Sequence, residues 1–161
     1  MPFKVGESSL DLVESLKVHR ETLAFSTSRR FELLDITRDV EAVIGRSGIV
    51  EGLAHVFVPH ATAAVIANEH EARLVEDVIE AVKSIAPPDR PWRHNEIDDN
   101  AHAHIAASII GPSRTFPVSR GRLVRGTWQN IFLLELDGPR TRRHVMVTVL
   151  GTAQAQGEEE F

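Results

Sequence analysis

The sequence predicts an α+β domain, a mainly antiparallel β-sandwich with two to three helices, and three observations predict it. The predicted elements run roughly ββαββα and then continue as several strands. One segment, Glu71 to Ile85, carries Leu74, Val75, Val78, Ile79 and Val82 at helical spacing with Glu76, Asp77, Glu80 and Lys83 opposite. The C-terminal third places two branched, apolar runs on either side of Asp137-Gly138-Pro139-Arg140, which is turn chemistry.

Taken in order, residues 1–14 are a lead-in in which Leu10, Leu12, Val13 and Leu16 form at most a short amphipathic run. Ser15 to Ser26 alternates apolar and polar positions with a change of phase between Val18 and Leu23, which predicts a strand with an irregularity near Arg20. Phe31 to Ile36 reads as a second strand, forming a hairpin with the first. Thr37 follows as a helix N-cap with Asp39 and Glu41 in the first turn, and Gly48 is placed to stop that helix. Ile49 to Val58 and Ala61 to Asn68 are the next strands. Pro87-Pro88 ends the amphipathic helix, because proline cannot donate to the helical ladder.

The connection Pro87 to Asn100 is longer than a simple link needs, and Trp92 anchors it. If Asn100 caps a helix through Ala101 to Ile110, His102 and His104 stand about 200° apart and cannot share a pocket. In an extended segment they share a face. One of the two is the better site residue, and the local pattern leaves open which. Thr115 to Ser119, a short edge bracketed by Gly121 and Gly126, Thr127 to Leu136, and His144 to Leu150 complete the strands, the last two as antiparallel partners. Residues 15–153 make one domain, and 154–161 an acidic tail.

Composition narrows the function. A chain of 161 residues with 42% hydrophobic content can bury one sizeable core. A formal charge of −5 without a long basic run argues against nucleic-acid binding, although Arg140, Arg142 and Arg143 cluster. With no cysteine, any metal must be held by nitrogen and oxygen. Met1 to Val5 gives way to Gly6 and Glu7 without an apolar core, and no run reaches the ~18 residues of a membrane span, so a cytoplasmic protein without a membrane partner is expected.

The candidate chemistry lies in Pro91 to Gly111, where His94, His102 and His104 sit among Glu96, Asp98 and Asp99, and at His60, delivered by the end of a strand. Imidazole is the commonest metal ligand and titrates near neutrality, so such a cluster is a candidate reaction centre.

Four blocks in this order resemble the YjbQ-like family, also called secondary thiamine-phosphate synthases: HATAAVIANE from His60, RHN with NAHAHI up to Ile105, GRLVRGTWQNIF from Gly121, and DGPRTRR from Asp137. The resemblance spans roughly Phe31 to Gly151. It implies a YjbQ-like sandwich assembled as a homotrimer, weak thiamine-phosphate synthase activity on a small phosphorylated substrate, and a polar pocket of histidines holding a divalent metal, zinc or magnesium. Carried over by block, the implied site residues are His60, Thr62, Asn68 and Glu69; His94 and His104; Arg122, Thr127, Trp128 and Gln129; and Arg140. The metal would sit on His60, His94 and His104, with His102 a less dependable ligand because many relatives are acidic there. Ala61 replaces a residue that is usually a hydroxyl in the family.

On that reading Arg122 and Arg140 bind phosphate, Trp128 offers a stacking face, and Glu69 is a base or orients a histidine. Asp98-Asp99 falls short of the carboxylate run that binds magnesium diphosphate. Two alternatives keep the pocket and change its use: a metal-dependent hydrolase of a small phosphorylated or amide substrate, and a non-catalytic trimeric binding protein.

Overall fold

Val145, Val147 and Val149 alternate with His144, Met146 and Thr148 along the longest strand, and this period of two divides a buried face from an open one. The computed structural model describes residues 15–153. The expected lead-in and acidic tail lie outside the described residues, except for Leu16. Along the chain come β1 (Lys17–Phe25), β2 (Glu32–Asp35), α1 (Thr37–Ser47), β3 (Ile49–Phe57), β4 (Ala63–Asn68) and α2 (Ala72–Ile85). A single 3-10 turn, Arg93–Glu96, precedes α3 (Ala101–Ile110), β5 (Ser113–Ser119), β6 (Arg122–Leu123), β7 (Asn130–Glu135) and β8 (Arg143–Ala153).

The strands form two antiparallel sheets, β1-β8-β3-β5-β6 and β2-β7-β4. Between them Val40, Val43 and Ile44 of α1 meet Ala54, Val56, Val145, Val147 and Val149 from the larger sheet and Val65, Ile131 and Leu133 from the smaller. On the far side of the smaller sheet, Ala64, Leu134 and Leu136 pack against Val82 of α2 and the alanines Ala103, Ala106 and Ala107 of α3. Those small side chains let α3 lie close to the sheet, which fixes where its histidines emerge. Each fully buried valine or leucine contributes roughly 1.5–3 kcal/mol.

Several local expectations hold. The first two helices lie where the sequence places them, the run Ala101 to Ile110, for which the sequence leaves helix and extended segment open, is helical, and Gly48 ends α1 at φ 69°, a left-handed conformation that glycine adopts without a side-chain clash. Strand pairing differs. β1 does not form a hairpin with β2: it pairs with β8 from Lys17↔Gly151 to Phe25↔Arg143, while β2 pairs with β7. That register is unbroken, so there is no irregularity near Arg20. The change of phase arises because Val18 faces outward, beside Leu150 and Leu53 on the open face of the larger sheet, whereas Leu23 and Phe25 face the core.

Nor is β8 the partner of β7. The turn at Asp137–Arg140 carries the chain from one sheet to the other, because both strands bury a face against the same core and lie in opposite layers. Thr127 and Trp128 lie outside the strand, which begins at Asn130. Thr37 does not cap its helix. Its hydroxyl donates to Asp35 at 2.6 Å and accepts the Ile131 N–H at 2.9 Å, stitching α1 to the smaller sheet.

For the site, the decisive register is β4 against β7: Ala63 faces Glu135 at one end and Asn68 faces Asn130 at the other. Five residue steps at about 3.4 Å put these ends roughly 17 Å apart.

Candidate functional site

His60 stands three residues past the end of β3, just after Val58, whose N–H donates to the Pro112 carbonyl at 2.9 Å. Its ring lies nearly parallel to that of His144, with centroids 5.8 Å apart. The His144 backbone N–H donates to His60 Nε2 at 2.8 Å. Only a neutral imidazole with its proton on Nδ1 can accept that bond. The electrostatics agree: burial lowers the pKa of His60, and the positive charge on Arg143 lowers it further, against an opposing pull from Glu135. His60 is therefore a fixed Nδ1–H donor.

Beneath it lies a buried ion pair that sequence reasoning missed. Glu135 is fully buried and Arg143 is 4% exposed. Arg143 Nε donates to both carboxylate oxygens at 3.0 and 3.1 Å, and Thr27 Oγ1 donates to the same carboxylate at 2.6 Å. Burial pushes the Glu135 pKa up, but the hydrogen bonds from Arg143 and Thr27 outweigh it and hold the carboxyl below its usual range. Thr62, expected at a substrate, is buried here, and its hydroxyl accepts from Arg143 Nη2 at 2.9 Å. The pair thereby ties the loop carrying His60 to the start of β8. A signal for it existed: Arg143 has the same parity as Val145, Val147 and Val149, and Glu135 interrupts the apolar run of β7.

The second wall comes from α3. Asn100 stands at its start without capping it, since its amide donates to Asp137 at 2.9 Å; Asn95 Oδ1 instead accepts the Ala101 N–H at 3.1 Å. The helix separates its two histidines as its geometry requires. His102 is fully buried, tilted on Phe31, with Nε2 at 3.2 Å from the Leu136 carbonyl, and burial lowers its pKa. It is a core residue and does not line the depression beside His104. His104 points the other way, into a depression of about 220 Å³ that it shares with His60, over a floor that includes Ala63 and Ala107. His94 stands edge-on to His104, with ring centroids 4.9 Å apart. Thus His60 and His104 share one depression, and His94 stands behind His104 without lining it.

Among the described residues, no three His, Asp or Glu side chains stand close enough to hold an ion. His60 spends its Nε2 lone pair on the His144 N–H, and its other nitrogen carries a proton. The expected His60, His94 and His104 metal set is therefore not formed within one chain, and His102 cannot complete it.

The remaining expected residues divide between the two ends of β4. Arg140 belongs to the histidine end, where its guanidinium donates to the Asp137 carboxylate at 2.7 Å and its charge reaches His60. Asn68, Glu69, Thr127, Trp128 and Gln129 belong to the other end. Asn68 Oδ1 accepts the Glu69 N–H at 2.8 Å, and Gln129 Oε1 accepts the Gly126 N–H at 2.7 Å, so both side chains shape their own turns. Trp128 is 71% exposed, neither in the core nor over the histidines. Arg122 lies on β6, at the end of β5 remote from His60, beside Glu41. The expected pair of phosphate clamps, Arg122 with Arg140, is not assembled.

Known proteins resemble this chain over nearly all of this framework. A crystal structure from Sulfolobus solfataricus P2, described as a YbjQ-like protein of unknown function, is 54% identical, covers 86% of this chain and 100% of its own, and superposes with a TM-score of 0.85. A hypothetical protein from Aeropyrum pernix K1 is 47% identical with a TM-score of 0.80, covering 83% of this chain and 99% of its own. A UPF0047 protein from Methanothermobacter thermautotrophicus is 45% identical over 136 residues, 84% of this chain and 94% of the relative. These descriptions carry no reaction. They overturn the expectation of thiamine-phosphate synthase activity: kinship with these proteins brings no such function to this chain. The geometry gives the expectation no help, since the stacking face and one phosphate clamp lie away from the histidines. What kinship does bring is a family: a model described as UPF0047 protein YjbQ-like matches residues 21–152, and with relatives this similar along nearly their whole length, the chain belongs to the YjbQ-like UPF0047 family.

Proposed function

We propose that the histidine depression binds a small oxyanion, such as a phosphate or carboxylate group, with His60 Nδ1–H as its fixed donor. The observation that carries this reading is the bond from the His144 N–H to His60 Nε2, which commits the other ring nitrogen to donating. Among the described residues that Nδ1 makes no hydrogen bond, and His60 lines the depression. Arg143 and Arg140 add positive potential at His60. His104, with His94 at its edge, supplies further ring nitrogens on the opposite wall. At about 220 Å³ the space suits a small ligand, below the roughly 300–1,000 Å³ usual for larger organic molecules.

The test is a titration of the protein with inorganic phosphate, followed through the imidazole nitrogen resonances. His60 is expected on the Nδ1–H tautomer, with its signal shifting saturably as phosphate binds. His60→Ala should weaken binding tenfold or more, about 1.4 kcal/mol. A protonated Nε2 on His60, or a His60→Ala protein of unchanged phosphate affinity, would overturn the assignment.

A further inference from the structure

At the opposite end of the smaller sheet, a different histidine is oriented by a carboxylate beside a larger concavity. Asp35 closes β2, and the first residue of α1, Thr37, turns back on it: Oδ1 of Asp35 accepts the Thr37 N–H at 3.0 Å and the Thr37 hydroxyl at 2.6 Å. Its other oxygen accepts Asn130 Nδ2 at 2.6 Å and stands 2.8 Å from His70 Nδ1. With four donors on two oxygens, Asp35 has no capacity left for a ligand, and its role is to orient its neighbours. Burial would raise its pKa, but the hydrogen bonds from Thr37, Asn130 and His70 outweigh burial and hold it at about 2. The carboxylate is thus a permanent acceptor. It fixes the His70 proton on Nδ1 when the ring is neutral, which leaves the lone pair on Nε2. His70 also meets the Phe132 ring edge-on at 5.3 Å, and its side chain is half exposed.

The concavity beside this dyad measures about 610 Å³, and Asp35, Arg38, Asp39, Glu41, Arg125 and Asn130 stand around it. Arg125 is held by the Gln129 carbonyl at 2.8 Å and by Asn130 Oδ1 at 3.3 Å, with Glu41 at 3.4 Å from its Nε. Asn130 therefore links the dyad to Arg125 through its two amide atoms. Arg38 makes no hydrogen bond or ion pair among the described residues, although Asp39 follows it in the chain. Here two cations, Arg38 and Arg125, and three carboxylates, Asp35, Asp39 and Glu41, stand around one space, with His70 reaching it only through its bond to Asp35, and that space falls within the range of small-molecule sites.

We propose that this concavity is a second binding site, for a small anion that also carries hydroxyl or ammonium donors. Arg38 and Arg125 take the anion, and Glu41 takes the donors. The site is separate from the histidine depression, by roughly the length of β4, and neither proposal depends on the other.

Nitrogen-15-labelled protein titrated separately with glycerol phosphate, glycine and inorganic phosphate tests it, with the Asn130 side-chain amide and Arg125 Nε as reporters. Glycerol phosphate or glycine is expected to shift both reporters saturably, at least tenfold more tightly than inorganic phosphate. A response to glycerol phosphate alone assigns the donor as hydroxyl, and a response to glycine alone assigns it as ammonium. Arg38→Gln should weaken the binding tenfold or more, and Glu41→Gln should narrow the gap to inorganic phosphate. Both residues are exposed, so their variants should fold. No saturable shift with any of the three probes, inorganic phosphate binding as tightly as the others, or an Arg38→Gln protein of unchanged affinity would overturn the proposal.

Discussion

Replacing Arg143 with methionine tests whether the buried pair under His60 organises that end of the molecule. The substitution keeps an unbranched apolar side chain in place but removes every donor that Arg143 offers to Glu135 and Thr62. Glu135, fully buried, retains Thr27 Oγ1 at 2.6 Å and the backbone N–H groups of Leu136 and Asp137 at 3.1 and 3.3 Å, but loses its only ion-pair partner among the described residues. Stranding one charge of a buried pair costs about 3–5 kcal/mol. For a chain of this size that lowers the melting temperature by roughly 6–20 °C. Urea unfolding should show the loss with an unchanged denaturant slope. The double variant Arg143→Met with Glu135→Leu should regain part of the stability, because an apolar pair avoids the desolvation cost. Recovery stays incomplete, since the Thr27 and Thr62 hydroxyls lose partners at about 1 kcal/mol each. A single-variant loss below about 1 kcal/mol, or a double variant no more stable than the single one, would refute the reasoning.

The other predictions concern acid sensitivity and the start of α3. His60 and His102 both have pKa values lowered by burial, so the unfolded chain takes up protons first as pH falls. Their contribution is complete above the unfolded value of about 6.5 and is lost as pH falls from there through their folded values; unfolding measured from pH 8 down to pH 5 should show stability declining below neutrality, and a flat profile would count against it. Asp35 and Glu21, both held at about 2, lose their contributions only below the ordinary carboxylate range and leave that window to the histidines. Asn95→Ala removes the acceptor on the Ala101 N–H and should cost about 1 kcal/mol in chemical denaturation, whereas Asn100→Ala should show no helix-cap signature in the α3 amide exchange rates.

What was legible in the sequence was local. Helical spacing located α1 and α2, because a helix satisfies its backbone within the segment and declares its buried stripe there, whereas the mostly small, apolar run of α3 shows no such stripe and leaves helix and strand both open. Strand pairing was not legible, because β1, β3 and β8 on one side and β4 and β7 on the other all present apolar residues to the same interior. A period of two says which side chains point inward without saying which strand lies next door. Proximity in the chain then suggested two hairpins, β1 with β2 and β7 with β8, and the structure joins neither.

The site divides along the same line. His60, His94 and His104 were legible as a group, and the helix through Ala101–Ile110 decided between His102 and His104 by rotation alone. The chemistry of His60 was not legible, because it depends on a backbone N–H supplied by a residue 84 positions away. Family blocks invite a single site built from all their residues, yet Asn68 and Gln129 cannot join His60 within one chain, since β4 and β7 run rigidly between them with Ala63 on Glu135 and Asn68 on Asn130. Two ends of one strand pair thus carry two polar constellations with opposite logic. In the first, a backbone donor commits a histidine to giving a proton in a hydrogen bond. In the second, a saturated carboxylate commits a histidine to accepting one.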